Sequence, residues 1–171
     1  EHLARELLSR PQPVRCLVRD PARLAADLRE RAEVVTADLT LDRNLEAAVE
    51  GATRVYHLAG ATHALRLADY VKVNAGGTGH LLAALLRVRP PLERFLLVSS
   101  QAAAGPSEPG RPVEEDDPPR PRTPYGVSKG EAEALLRAAG DRIPYTIVRP
   151  PIVYGPGDRA TLEFFKYAKM K

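Results

Sequence analysis

The first 50 of the 171 residues contain no glycine, the whole chain has no tryptophan, and cysteine and methionine occur once each. Each shortage excludes something. With no glycine before Gly51, the N-terminal third cannot form a glycine-rich turn of the kind that lets backbone amides close around a phosphate. Cys16 stands alone inside an apolar run, which rules out a disulfide within the chain and any cysteine-rich metal site; a buried small hydrophobe is the expected role. No apolar stretch approaches the ~18 residues of a membrane span and no signal-peptide pattern is visible, so a soluble cytoplasmic protein with no membrane partner is expected. Of 25 basic residues 20 are arginine, spread through every segment for a net charge of +3. Without a basic stripe interleaved with aromatics, nucleic acid is not an expected partner.

What is present is a regular alternation. Leu3, Leu7 and Leu8 fall at helical spacing; Val14–Val18 reads as a buried strand; Asp20-Pro21 opens a helix with Leu24 and Leu28 inward. A strand at Val34-Val35 ends at Asp38, Thr40 is the expected cap of a helix Leu41–Glu50, and Gly51 stops it. Strand Thr53–Leu58, a long helix Tyr70–Val88, strand Phe95–Val98, a Pro-rich acidic loop over 105–124, a helix from Tyr125 to about Gly140 and strand Tyr145–Val148 follow, with Asp158 placed to cap a last helix. Short apolar strands alternating with helices predict an α/β fold with a parallel, doubly wound sheet in one domain over 1–171. The chain opens on Glu1 within one helical pattern and closes on Met170-Lys171 within another, which is expected of a piece of a longer protein.

The stretch Tyr125-Gly126-Val127-Ser128-Lys129 carries the chemistry. Residues four apart share one helix face, so a phenol and an ammonium can meet there. A free phenol titrates near pH ~10, too high for a base at neutral pH, and an ammonium beside it favours the phenolate. Spacing alone proves little: Tyr167 and Lys171 have the same offset with no chemical group around them and read as coincidence. His57 and His63 lack a carboxylate or cysteine partner, and Glu114–Asp117 runs into Pro118-Pro119, so no metal site is expected.

Around Tyr125 and Lys129 the chain resembles the extended short-chain dehydrogenase/reductase superfamily, the NAD(P)-dependent epimerase/dehydratase group. The resemblance implies a Rossmann-like sheet of order 3-2-1-4-5-6. It implies catalytic roles for Ser100, just past the fourth strand, and for Tyr125 and Lys129, with Asn74 bending its helix and helping hold Lys129 through water. Cofactor contacts are implied at Arg19, Asp38, Leu39, Leu58, Ala59, Gly60, Asn74, Tyr125, Lys129 and Pro151. Arg19, beside Asp20, sits where the family selects between NADP and NAD, and an arginine there favours NADP. Ser100-Gln101-Ala102 stands where sugar-nucleotide 4,6-dehydratases carry Thr-Asp-Glu, which argues against water elimination and leaves epimerase or reductase. The implied substrate is a small molecule, a nucleotide sugar or a small carbonyl compound, and a homodimer of the full-length protein is allowed. A regulator that senses NAD(P) without catalysis is the alternative; retention of Ser100, Tyr125 and Lys129 together argues against it.

Two absences stand out against that pattern: the first strand with its glycine turn, and a C-terminal substrate domain. The missing strand belongs between Val14–Val18 and Thr53–Leu58, so no ladder is expected between those two strands, and residues 1–10 are not expected to fill the place.

Overall fold

A computed structural model describes residues 1–156, 158 and 161–169, of which 163 and 164 by their backbone only. The element order is α1 (His2–Leu8), β1 (Arg15–Val18), α2 (Ala26–Arg31), β2 (Glu33–Thr36), α3 (Leu45–Val49), β3 (Arg54–His57), α4 (Leu67–Val71), α5 (Gly77–Val88), β4 (Arg94–Val98), α6 (Gln101–Ala104), α7 (Pro124–Ala139), β5 (Tyr145–Val148) and α8 (Leu162–Lys169). Among the described residues these strands pair in parallel: β1 with β2, and β3–β4–β5 as a second sheet. This is the expected α/β architecture, and β1 and β3 share no ladder. Residues 1–10 contribute a helix, not a strand.

One apolar core joins the two sheets. Ala37 and Leu39, just past β2, and Leu45 and Val49 of α3 pack with Leu81, Leu82 and Leu85 of α5 against Phe95 and Leu97 of β4. Each large side chain removed from water in this way contributes about 1.5–3 kcal/mol. Arg15 ties β1 to the same block: its guanidinium donates to the carbonyls of Ala47, Ala48 and Glu50, the orphan acceptors at the end of α3. On the far side Ala132, Leu136 and Ala139 of α7 close the core over Ile143.

Three local expectations are corrected. Asp38, not Thr40, is the cap: its carboxylate accepts from the Thr40 N–H and hydroxyl, both at 2.8 Å, and shapes a 3-10 turn, Leu39–Leu41. The Asp38 carboxylate reaches the amide two residues on, and α3 starts later, at Leu45. Asp20 likewise caps a 3-10 turn, Pro21–Arg23, before α2 begins. The long helix expected from Tyr70 is interrupted: α4 passes into a π turn, Lys72–Gly76, before α5 continues. Cys16 is half-buried, and burial pushes its thiol pKa up.

Two glycines allow close backbone approaches. A Cβ on Gly126 would lie 2.3 Å from the Ala102 carbonyl oxygen, so α6 and the first turn of α7 can touch only at glycine. Gly105 has φ +89° and would bring a Cβ 2.1 Å from the Arg120 carbonyl oxygen, which fixes both ends of the Pro-rich loop.

Candidate active site

The carboxyl end of each strand delivers one part of the site. After β3 the chain turns through Leu58, Ala59 and Gly60, all exposed. A Cβ on Gly60 would lie 3.0 Å from Asn74 Oδ1 and 3.8 Å from Lys129 Nζ, so the open backbone faces both groups. Asn74 lies in the π turn and is 1% exposed. Its Oδ1 accepts from the Ala61 N–H at 2.7 Å, while Nδ2 donates to the Ala61 carbonyl at 3.1 Å and to Ser128 Oγ at 2.9 Å. Both amide donors are therefore in use. The link to the Lys129 helix is direct, through Ser128, whose hydroxyl donates on to the Tyr125 carbonyl at 2.8 Å.

Helix α7 is set by its own sequence. Thr123 caps it by accepting from the Gly126 N–H at 3.0 Å, and Pro124 occupies the first turn, where its missing N–H costs nothing. Tyr125 follows, its ring edge-on to Tyr70 with centroids 5.9 Å apart. One turn further, Lys129 is 5% exposed and donates from Nζ to the Val98 carbonyl at 2.8 Å. Burial pushes its ammonium below the ordinary lysine range, and the charge of Glu133 pushes the other way. His57, 4% exposed at the end of β3, is held down to about 4 by burial and by the Lys129 charge, so it is neutral. The Thr78 hydroxyl donates to the Asn74 carbonyl at 2.6 Å, so the 2.9 Å contact to His57 places the imidazole proton on Nε2.

Ser100 stands two residues past the Val98 carbonyl that holds Lys129, and caps α6 by accepting from the Ala102 N–H at 3.2 Å. No acceptor among the described residues takes its hydroxyl proton, and the Tyr125 hydroxyl likewise has no partner among them. Ser99, by contrast, is buried and donates to Glu133 at 2.5 Å. The Gln101 N–H donates to the Pro150 carbonyl at 3.0 Å, bringing the exposed Pro151 to the same end of the sheet.

Arg19 and Asp38 form a second group, at the ends of β1 and β2. Arg19 is exposed. The Asp38 carboxyl is held below the usual range by hydrogen bonds from Thr40 and by the charges of Arg19 and Arg43. Leu39 faces inward, and its carbonyl accepts from His80 Nδ1. Among the described residues no group of acids, histidines or cysteines is arranged to hold a metal. The acidic loop agrees with a solvated role: Glu114, Glu115 and Asp116 are exposed, and Asp117 pairs with Arg111. Of the pair set aside as coincidence, Lys171 lies outside the described residues.

Sequence reasoning passed over Ser128, Glu133 and Arg149. Glu133 is 1% exposed and forms a two-pronged ion pair with Arg149, at 3.0 and 2.7 Å. The available signal was its position four residues after Lys129, which puts an acid on the helix face that carries the chemistry.

Fold and strand-end groups together define a doubly wound α/β domain whose polar side chains gather where such sheets bind ligands. The chain matches the NAD dependent epimerase/dehydratase family over residues 1–167 and belongs to it. It is similar to ceramide reductase of Caulobacter vibrioides, 38% identical over 169 residues that make up 98% of this chain and 47% of the relative. It is also similar to UDP-glucose 4-epimerase of Vibrio cholerae, 30% identical over 153 residues, 84% of this chain and 46% of the relative. Among solved structures, UDP-glucuronic acid 4-epimerase of Bacillus cereus in complex with NAD superposes with a TM-score of 0.76 at 28% identity, covering 92% of this chain and 55% of that one. The chain spans about half the length of the curated relatives it matches. No helix among the described residues is long and apolar enough to cross a membrane.

Proposed function

We propose that residues 1–171 form the greater part of an NAD(P)-binding domain, and that the whole protein is an oxidoreductase or epimerase acting on a hydroxyl or carbonyl carbon of a small molecule, a nucleotide sugar or a small carbonyl compound. One observation carries the reading. Lys129 is buried one helical turn from Tyr125, anchored on the Val98 carbonyl beside Ser99-Ser100, and faces Gly60 across a space that a Cβ would fill.

The residues present fit part of a dinucleotide. Arg19, Asp38 and Leu39 would hold its adenosine end; Leu58, Ala59, Gly60, Lys129 and Pro151 would hold its nicotinamide half. No glycine precedes Gly51 to seat a pyrophosphate. When bound, the nicotinamide supplies or accepts hydride. Tyr125 then exchanges a proton with the substrate oxygen, and the unengaged Ser100 hydroxyl donates to that oxygen and orients it. An ammonium has three donors; one of those on Lys129 is spent on Val98, leaving two for the ribose and for stabilising the Tyr125 phenolate. Gln101 and Ala102 offer no acid to expel a hydroxyl, which favours epimerisation or carbonyl reduction over dehydration. Asp20 is occupied by the Ala22 N–H while Arg19 is exposed beside it, which favours NADP.

The test is Tyr125→Phe in the full-length protein, which removes the proton donor and little volume. Turnover falls by roughly 10²–10⁴ while cofactor still binds; unchanged turnover overturns the reading.

A further inference from the structure

Glu133 does more than fill a buried position. It lies one turn past Lys129 on α7, and its carboxylate is shared by the first residues beyond two different strands. Ser99, directly after β4, donates to Oε1 at 2.5 Å; Arg149, directly after β5, donates to Oε1 at 3.0 Å and Oε2 at 2.7 Å. Arg137 approaches from the solvent side at 3.7 Å. The next residue after Ser99 is Ser100, and Pro150-Pro151 follow Arg149. Two backbone bonds join the same strand ends: Ser99 N–H to the Val148 carbonyl at 2.8 Å and Gln101 N–H to the Pro150 carbonyl at 3.0 Å.

We propose that Glu133 is a positioning residue, which fixes the Tyr125–Lys129 helix against the ends of β4 and β5. The proposal rests on the function assigned above to Tyr125 and Lys129, and concerns a residue that touches neither substrate nor cofactor. Burying a carboxylate is costly unless it is paired and hydrogen-bonded, and here every partner comes from a segment adjoining a group that must be placed accurately. Burial alone would raise the Glu133 pKa, but the bonds from Arg149 and Ser99 and the charges of Arg149 and Arg137 hold it below the usual range, so it stays ionised. Tyr125 and Glu133 lie one turn to either side of Lys129 on its own helix, His57 feels its charge from β3, the Val98 carbonyl of β4 accepts from it, and Asn74 of the π turn shares the Gly60 backbone with it. The Glu133 charge opposes the burial that pulls the Lys129 proton affinity down.

Two readouts that need no substrate test this in the full-length protein. In Glu133→Gln, NMR titration of carbon-13-labelled lysine shows Lys129 binding its proton more weakly, and Glu133→Asp restores most of that loss. Hydrogen exchange at the Ser99 and Gln101 amides speeds up about tenfold or more, while exchange in β1 is unchanged. Glu133→Gln strands a buried guanidinium and can fail to fold. The double variant with Arg149→Met strands no charge, and Ser99→Ala keeps the ion pair; both show the faster exchange, and Ser99→Ala keeps the Lys129 titration. A folded Glu133→Gln, or the double variant if the single does not fold, that leaves exchange at Ser99 and Gln101 at the parental rate overturns the proposal. Failure of Tyr125→Phe to lower turnover overturns the assigned reaction and leaves these two readouts to decide on Glu133 alone.

Discussion

Asn74 and Ser128 lie 54 positions apart in sequence and meet at 2.9 Å, amide to hydroxyl, inside the protein. The bond locks the π turn to the first turn of α7, because Ser128 also holds the Tyr125 carbonyl. Asn74→Ala leaves the Ala61 N–H and carbonyl without their partner and should cost about 1–3 kcal/mol of stability. A double-mutant cycle with Ser128→Ala, read by denaturant unfolding, should show a coupling of about 0.5 kcal/mol or more. Strict additivity would mean the two side chains do not act together.

The two glycines of α7 should respond in opposite ways to alanine. Gly126→Ala drives a Cβ into the Ala102 carbonyl and should destabilise by about 1–3 kcal/mol. Gly130 has nothing within 4 Å of its added Cβ, so Gly130→Ala should gain about 0.5–1 kcal/mol from helix propensity. Melting curves of the two variants decide; equal shifts would contradict the packing of α6 on α7.

His57 makes stability depend on pH. Its folded value of about 4 lies below the ordinary 6.5, so the unfolded chain takes up a proton that the folded one refuses. The stability this residue protects is intact above pH ~6.5 and is lost as pH falls towards ~4, to a total of roughly 3 kcal/mol. Glu133, also held low, contributes in the same direction at more acid pH. Unfolding free energies measured across this range should fall less steeply in His57→Gln. An unchanged slope would show that His57 is charged in the folded protein.

Arg19 decides between cofactors if it receives a 2′-phosphate. In the full-length protein Arg19→Ala should weaken NADP about tenfold or more, the worth of one charged hydrogen bond, and leave NAD within about threefold. Equal losses in titrations of both cofactors would remove the preference for NADP.

The sequence was most informative where structure is local. Tyr145–Val148 was read to the residue, and α7 to within one at each end, because apolar strands and a Thr-Pro helix start depend on near neighbours. The Asp38 turn was misread because Asp38 and Thr40 are both good caps, and only the reach of each side chain separates them. Periodicity gave no sign of the π turn, since Val71–Gly76 keeps an ordinary helical pattern; only the resemblance, which implied that Asn74 bends its helix, pointed to the irregularity found there, where Asn74 bonds to Ala61 and Ser128. The Glu133–Arg149 pair joins a helix to a strand end 16 positions away, a meeting that only the folded sheet supplies. Ser100, Asn74 and Lys129 were singled out through the family resemblance, which carries tertiary information that residue periodicity does not.

β1 and β3 each pair on one side only, which leaves two rows of backbone donors and acceptors without a ladder among the described residues. Edges of that kind open more readily than a strand held on both sides, so amide exchange along the outer rows of β1 and β3 should be faster than in β4, which pairs with β3 and β5.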